Sequence, residues 1–465
     1  MGKILVAGRE VMSAQYAYAV FLGIFLGIAS YFFAGTVFVF LVFGLLCYSI
    51  RKSSPPEDRR FIATVLIAGF LLRVFFTLLT HAGSYLDGYG GFTSGDDTLY
   101  TLRSWALTNR WAGKPEAWLR VIAPTTGHGL NPFTYLIAYF FKVFGFHPVS
   151  AKFINCILGT AAGWSTYLLT KLCFDRKAAK ISLLIVMFYP SLIRWSTANL
   201  TDPAILLLFM LCVYILVEAA LRKISLARIA AFGAAIAILC YFINSFYVAL
   251  LALGTAVALF TRFLDIFRRA GTKCVVAVAI VFFLSAGCWY VVSQKPHVVL
   301  PHIFMLEFTQ RQIALSDFAG YYLYTGKFLD CANNGIIAVS EFIFVIFKNV
   351  AYFMLAPFPW QISSKGQLMA FPQMFIWYCA LILSVFGAYK LFLNKPKAAF
   401  LLSALLLFGI VIRSLADGNI GAAFRHRDLF TPFFLIFASA AIKDLLGEKK
   451  LFARSARADT SGRGT

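Results

Sequence analysis

Two adjacent carboxylates, Asp96 and Asp97, stand in the stretch GSYLDGYGGFTSGDDTLYTLRSW, which begins at Gly83 directly after an apolar run. A carboxylate placed there is suited to take the proton of a hydroxyl as a general base. It also suits a divalent cation, Mg or Mn, with Asp96 and Asp202 as the candidate metal ligands. Asp202 opens another apolar run, in STANLTDP from Ser196. Arg425, His426 and Arg427, followed by Asp428, lie just before the last apolar run. Guanidinium groups present planar donor forks to phosphate, so an anionic lipid headgroup is a natural ligand for them. Arg73 falls about 10 Å inside the outer end of its run by helix rise. Such an arginine either finds a partner or snorkels to the interface. His128, Arg194 and Asn244 complete the candidate substrate-binding set; His128 has no HxxxH or cysteine partner, so its spacing offers no metal site.

Each acid also has a plain structural explanation. Ser94 suits a helix N-cap, with Asp97 at the third helical position, where an acid completes a capping box and complements the helix dipole. Thr201-Asp202-Pro203 likewise suits a helix start, since proline fits the first turn. One acid suffices for a cap. Capping therefore accounts for Asp97 and leaves Asp96 over.

The elements that carry these residues follow from composition. Of 465 residues, 60% are apolar, 17% aromatic and only 13% charged, and mean hydropathy is +0.79. A soluble chain is about 45–50% apolar and about 25% charged. Repeated apolar runs match the ~20 residues needed to cross a ~30 Å hydrocarbon core. The fold class expected is all-α, a polytopic transmembrane helical protein with about 12 spans and a large first outer loop carrying interfacial helices. A transmembrane barrel is excluded, because its signal is alternation over short segments. The net charge of +22 gathers in short loops such as RKSSPPEDRR and in the tail, flanking the apolar runs. That pattern is positive-inside topology, with no nucleic-acid partner implied. The nine cysteines form no CxxC pair and read as small buried side chains.

The topology runs as follows. Residues 1–60 supply two short N-terminal spans with a turn near Ala34 and Gly35. A core at 61–293 includes the outer loop 81–150. The outer loop contains a helix starting after Ser94 and a second over 132–144, capped by Asn131, opened by Pro132 and stopped by Gly145. That second helix is too short to span and is expected to lie along the membrane surface. Further spans are expected at 151–171, 180–198, 203–221, 227–243, 246–263 and 274–293. A second outer segment, 294–370, holds an interfacial or re-entrant helix at 341–359. The last spans, 371–392, 398–415 and 429–446, lead to a basic cytoplasmic tail, 447–465, whose final 15 or so residues are expected to be disordered. This topology brings the Asp96 loop, TGHGLNP from Thr126, STANLTDP and DGNIGAAFRHRD from Asp417 to the outer face.

Asp96-Asp97-Thr98-Leu99-Tyr100 in the first outer loop resembles the acidic pair, with a tyrosine three residues on, of the GT-C glycosyltransferases. The branch it is most similar to contains the protein O-mannosyltransferases and the lipid A aminoarabinose transferases. The run from Asn131 through the Asp202-Pro203 pair resembles that branch in order and spacing, and FRHRDLFTPFFLIF resembles the lead-in to its late spans. The likeness covers 61–260 well and 270–445 loosely. It implies an enzyme that moves a sugar from a polyprenyl-phosphate donor to a glycan, lipid or protein acceptor outside the cytoplasm, usually with inversion. It places the enzyme among membrane lipids, in a bacterial inner membrane. Carried over by position, Asp96 matches the catalytic aspartate, Asp97 its acidic neighbour and Asp202 the second outer-face aspartate. The chain departs from the pattern in the extra pair of spans before residue 60 and in three further ways. The acidic neighbour is more often Glu, Leu130-Asn131 replaces a Glu-Lys pair, and a lysine found near Asn244 in some members is missing. The last two departures speak against an aminoarabinose-type donor and a phosphate acceptor. The alternatives are an O-antigen polymerase or ligase and a lipid-linked sugar transporter or flippase; a transporter predicts internal repeats, broken helices and midplane charges.

Overall fold

The structure, a computed structural model, describes residues 33–114, 132–222, 225–241, 250–261, 297–299, 336–362, 365–417 and 420–461. Almost every described element is a helix. The exception is an antiparallel ribbon of two three-residue strands, His297–Val299 (β1) and Ile336–Ala338 (β2), in register from His297 opposite Ala338. His128 and Asn244 lie outside the described residues, as do the cap at Asn131 and the expected span at 274–293.

The chain forms two compact units, Met1–Ala161 with Ile193–Ala204, and Ala162–Leu192 with Ile205–Thr465. Long helices of the first unit are Phe33–Ser53 (α1) and Arg59–Leu86 (α2), both apolar enough to cross a membrane. Ala34 and Gly35, expected to mark a turn, are helical. Gly35 abuts the ring of Phe140, so glycine serves close packing there. Phe43 stacks on Phe70 at 3.8 Å between centroids, joining α1 to α2.

Ser94 caps Gly95–Trp111 (α3), accepting the Asp97 N–H at 3.2 Å. The short helix Pro132–Phe144 (α4) follows, stopped by Gly145 at φ +82 with its N–H on the Phe141 carbonyl. Its face of Phe133, Ile137, Ala138, Phe140 and Phe141 is buried, while Leu136, Tyr139 and Val143 are exposed. Thirteen residues reach about 20 Å, so α4 is too short to span, as expected. Thr108 of α3 donates to the Ala138 carbonyl of α4 at 2.9 Å. The next helix, Pro148–Cys173 (α5), is 26 residues long and begins in this unit.

The expected single span at 180–198 is corrected. Arg176–Phe188 (α6) and Pro190–Ser196 (α7) are bent by 56° at Tyr189. Proline disfavours helical backbone in the residue before it, and Tyr189 is extended at φ −71, ψ 120. Asp202–Leu221 (α8), Leu226–Tyr241 (α9) and Leu250–Thr261 (α10) continue the chain.

Val339–Leu355 (α11) has 17 residues, about 26 Å of helix, short of a full crossing. A cis Ala356–Pro357 bond and a 3-10 turn at Pro359–Gln361 follow it. The remaining helices are Lys365–Asn394 (α12), Pro396–Ala416 (α13), Ile420–Arg427 (α14) and Thr431–Ser461 (α15). The span expected at 429–446 is thus preceded by a short helix, bent by 55° from it. The tail expected to be disordered is helical to Ser461, in keeping with its Ala, Lys, Arg and Leu content. Among the described residues, five helices are long and apolar enough to cross a membrane, or seven if each bent pair is one span. The chain is an integral membrane protein; the count of 12 is not reached within the described residues.

In the second unit, a core of Phe209, Val213, Leu402, Phe430 and Phe433 joins α8, α13 and α15. Asp175 caps α6, accepting the N–H groups of Lys177 and Ala178, and pairs with Lys443 of α15 at 2.7 Å. Burial disfavours the charged form of Asp175, but the Lys443 ammonium and these amides outweigh it and hold the carboxyl below its ordinary range. Where α12 crosses α15, a Cβ on Gly387 would collide with the Phe437 carbonyl. Small residues let helices approach in this way where lipid supplies no hydrophobic drive. Gly387→Ala is expected to cost about 1–3 kcal/mol by overpacking, read as a lower unfolding midpoint in detergent. Gly44→Ala, in open space on α1, is expected to leave the midpoint unchanged.

Candidate active site

The start of α3 is held by one carboxylate. Asp97 is fully buried. Its Oδ2 accepts the Thr93 N–H at 2.9 Å and the Thr93 hydroxyl at 3.1 Å. The same oxygen pairs with Lys152 of α5 at 2.8 Å, both side chains being inaccessible to solvent. Its Oδ1 accepts the Asn199 N–H at 3.0 Å. A carboxylate has about four acceptor positions, and four donors meet Asp97. It is more than a cap, and its oxygens are committed inside the protein.

Asp96, one residue earlier, is half-buried in the first turn of α3. Asn199 stands three residues before Asp202, the first residue of α8. The Asp97–Asn199 bond therefore fixes the starts of α3 and α8 to each other. Three residues of extended chain reach about 10 Å, which bounds how far Asp202 lies from Asn199. The loop between α7 and α8 is itself tied down. Asn155 of α5 donates to the carbonyls of Ala198 and Leu200 at 2.5 and 2.9 Å, and the Asn199 amide donates to Thr101 at 2.9 Å. Asn199, although part of an Asn-Leu-Thr sequon, is fully buried.

On the other side of Asp97 the glycine-rich loop is pinned by its Gly91 carbonyl. Lys152 donates to that oxygen at 2.8 Å, and the His81 ring of α2 meets it at 2.9 Å. Gly91 has φ +84, and a Cβ there would run into the His81 ring, so glycine is required twice over. Arg73 is 1% exposed, so it does not snorkel. Its Nη1 donates to the Gly69 carbonyl at 3.0 Å, and its Nε reaches the Ser196 hydroxyl at 3.4 Å. Arg194 of α7 has an exposed side chain within electrostatic reach of Asp97 and Lys152.

The Arg425–Asp428 cluster belongs to the second unit. Arg427 is buried; its Nη1 donates to the carbonyls of Met354 and Ala356, each at 2.9 Å, and its guanidinium lies 5.0 Å from the Trp377 ring centre. Those contacts cap the C-terminal end of α11. His426 meets both oxygens of the buried Asp417 through Nδ1 at 2.9 Å, and Arg413 approaches the same carboxylate at 3.6 Å. Arg425 is half-buried at the end of α14. Among the described residues, no group of three His, Cys, Asp or Glu side chains gathers to hold a metal.

With this geometry in place, the comparisons with known proteins are informative. Residues 132–289 match the family model described as dolichyl-phosphate-mannose-protein mannosyltransferase. The archaeal oligosaccharyltransferase AglB from Archaeoglobus fulgidus, solved with an inhibitory peptide and a dolichol-phosphate, is similar in fold. It aligns over 88% of this chain and 52% of its own, with a TM-score of 0.50 and 15% identity. The likeness to AglB is one of fold, and the family match covers about a third of the chain. The apo form of the Archaeoglobus fulgidus oligosaccharyltransferase aligns over 85% of this chain and 52% of its own at 13% identity, with a TM-score of 0.43. The chain thus spans about half the length of these structures. No curated protein sequence matches it significantly.

The structure brings Asp96, Asp97 and Asp202 to one pair of tied helix starts. Sequence reasoning missed Lys152, Asn155 and His81. A signal for Lys152 was present, since an ionisable residue inside an apolar span marks a partner or a site. Asn155→Ala removes the donors of two loop carbonyls, a loss of about 1–3 kcal/mol each when buried. The expected outcome is a lower unfolding midpoint and faster hydrogen exchange at the Asn199 N–H; unchanged exchange there would break the link drawn from Asn155 to Asp97.

Proposed function

We propose that the chain is an integral-membrane glycosyltransferase that moves a sugar from a polyprenyl-phosphate donor to a hydroxyl of a glycan, lipid or protein acceptor. The observation that carries this reading is the division of labour at the start of α3. Asp97 is committed to four internal donors, so its half-buried neighbour Asp96 is the carboxylate assigned to the chemistry. Asp96 takes the proton of the acceptor hydroxyl as its oxygen attacks the anomeric carbon. The bond from that carbon to the phosphate oxygen breaks, with inversion, and polyprenyl phosphate departs. Asp202 orients the acceptor, or joins Asp96 on a divalent cation whose remaining ligands are substrate and water oxygens. Arg194, exposed and within electrostatic reach of Asp97, is assigned to the phosphate, where negative charge develops, and the buried Arg73 to holding α2 against Ser196. Arg427, bonded to backbone carbonyls, is assigned to holding α11. The reaction is placed on the extracytoplasmic side of a bacterial inner membrane. The dolichol-phosphate bound to the structurally similar AglB supports a lipid-phosphate donor in general terms.

The rival flippase reading has one observation in its favour, the two helix pairs bent by 56° and 55°. Purified protein with a polyprenyl-phosphate sugar and a hydroxyl acceptor separates the readings, since a transferase releases polyprenyl phosphate and a flippase does not. An O-antigen polymerase or ligase would instead need a lipid-linked glycan as donor in the same assay. Asp96→Asn is expected to lower turnover at least 10²-fold, the scale of a general base, with expression and donor binding unchanged. Full activity in that variant would remove Asp96 from its role. Arg194→Gln is expected to weaken donor use several-fold while leaving the unfolding midpoint in place.

A further inference from the structure

Lys152 reaches both the glycine-rich loop and the start of α3. Its ammonium lies 2.8 Å from Asp97 Oδ2 and 2.8 Å from the Gly91 carbonyl, with no solvent exposure. We infer that Lys152 is a positioning residue for glycosyl transfer, setting the place of Asp96 through Asp97 and Gly91 rather than touching substrate itself. This inference rests on the assignment of Asp96 as the general base.

Three arguments support it. First, stability alone does not call for the pair. Burying two charges costs several kcal/mol, and a well-packed apolar pair is often as stable, so a buried pair has to be accounted for by what it fixes in place. Second, the pair acts on a segment with little rigidity of its own. Gly88, Gly90 and Gly91 all have positive φ, and the six residues from Tyr89 to Ser94 join His81's neighbourhood to the cap of α3. Lys152 fixes the middle of that segment at Gly91 and its far end at Asp97. His81 adds a second contact to Gly91 from α2. Third, the position of Asp96 follows from that of Asp97, because the two are successive residues in one helical turn. Moving the turn by about 1 Å is enough to cost a reaction about 10²-fold.

The role has a chemical signature that a purely structural lysine lacks. Removing Lys152 alone leaves Asp97 as a buried, uncompensated anion, which drives the turn toward water. Replacing both partners by neutral groups removes that force, and the single amide oxygen keeps accepting on one side, from Thr93 or from Asn199. The test therefore compares Lys152→Met with the double variant Asp97→Asn/Lys152→Met in full-length protein, assayed with a polyprenyl-phosphate sugar. Lys152→Met is expected to lower kcat about 10²-fold with KM for the donor changed less than about 3-fold. The double variant is expected to recover at least tenfold of that loss, with an unfolding midpoint above that of the single variant. A Lys152→Met enzyme with wild-type kcat overturns the inference. So does a loss expressed in KM, or a double variant no more active than the single one. Wild-type turnover with an inactive Asp96→Asn variant establishes the reading beneath it separately, whereas an absence of wild-type turnover overturns both.

Discussion

The Asp97 carboxylate is the contact on which the starts of α3 and α8 depend. It receives a backbone amide and a hydroxyl from its own loop, an ammonium from α5 and a backbone amide from the loop before α8. Three chain segments, around residues 93–97, 152 and 199, are thereby fixed at one buried anion. Such an anion is tolerated only because every donor is present, since an ionised carboxylate removed from water without partners is prohibitively costly. The arrangement is consequently cooperative, each donor being needed for the others to remain in place.

The second unit meets a related constraint with the opposite charge. The C-terminal end of α11 leaves carbonyls without intrahelical partners, as every helix end does. Arg427 donates to those of Met354 and Ala356, and Trp377 donates to that of Met354 at 2.6 Å. Tyr378 donates to the Leu355 carbonyl at 2.7 Å. A cationic fork beside a helix C-terminus is favourable for the dipole as well as for the hydrogen bonds. The arginine that looks most like a phosphate ligand by its position in FRHRD is in this way drawn into the frame, while Arg425, one helical step away, keeps a partly accessible side chain.

Much of the local structure was legible in the residues. Ser94, Pro132 and Gly145 mark helix ends by backbone chemistry that operates within a few residues, and the helices begin and stop there. The apolar runs of α2, α8 and α13 were legible for the same reason, as length and hydropathy are properties of the segment alone. Expectations failed where neighbours decide. Gly35 suits a turn by itself, yet it is helical because Phe140 fills the space beside it. The run at 180–198 has continuous hydropathy, yet Pro190 imposes an extended Tyr189 and a bend.

The same division holds at the site. From the amino-acid types alone came an acidic pair at a helix start, a second acid at Asp202, the membrane class and the likeness to GT-C enzymes. Those are one-dimensional properties, set by composition, spacing and capping. Tertiary structure decided that Asp97 is fully buried among four donors while Asp96 keeps partial exposure. That depends on Lys152 and Asn199, residues 55 and 102 positions from Asp97 along the chain; no local rule relates them. Burial gives those donors their weight, because inside the protein an ionised carboxylate is held only where its partners are all in place.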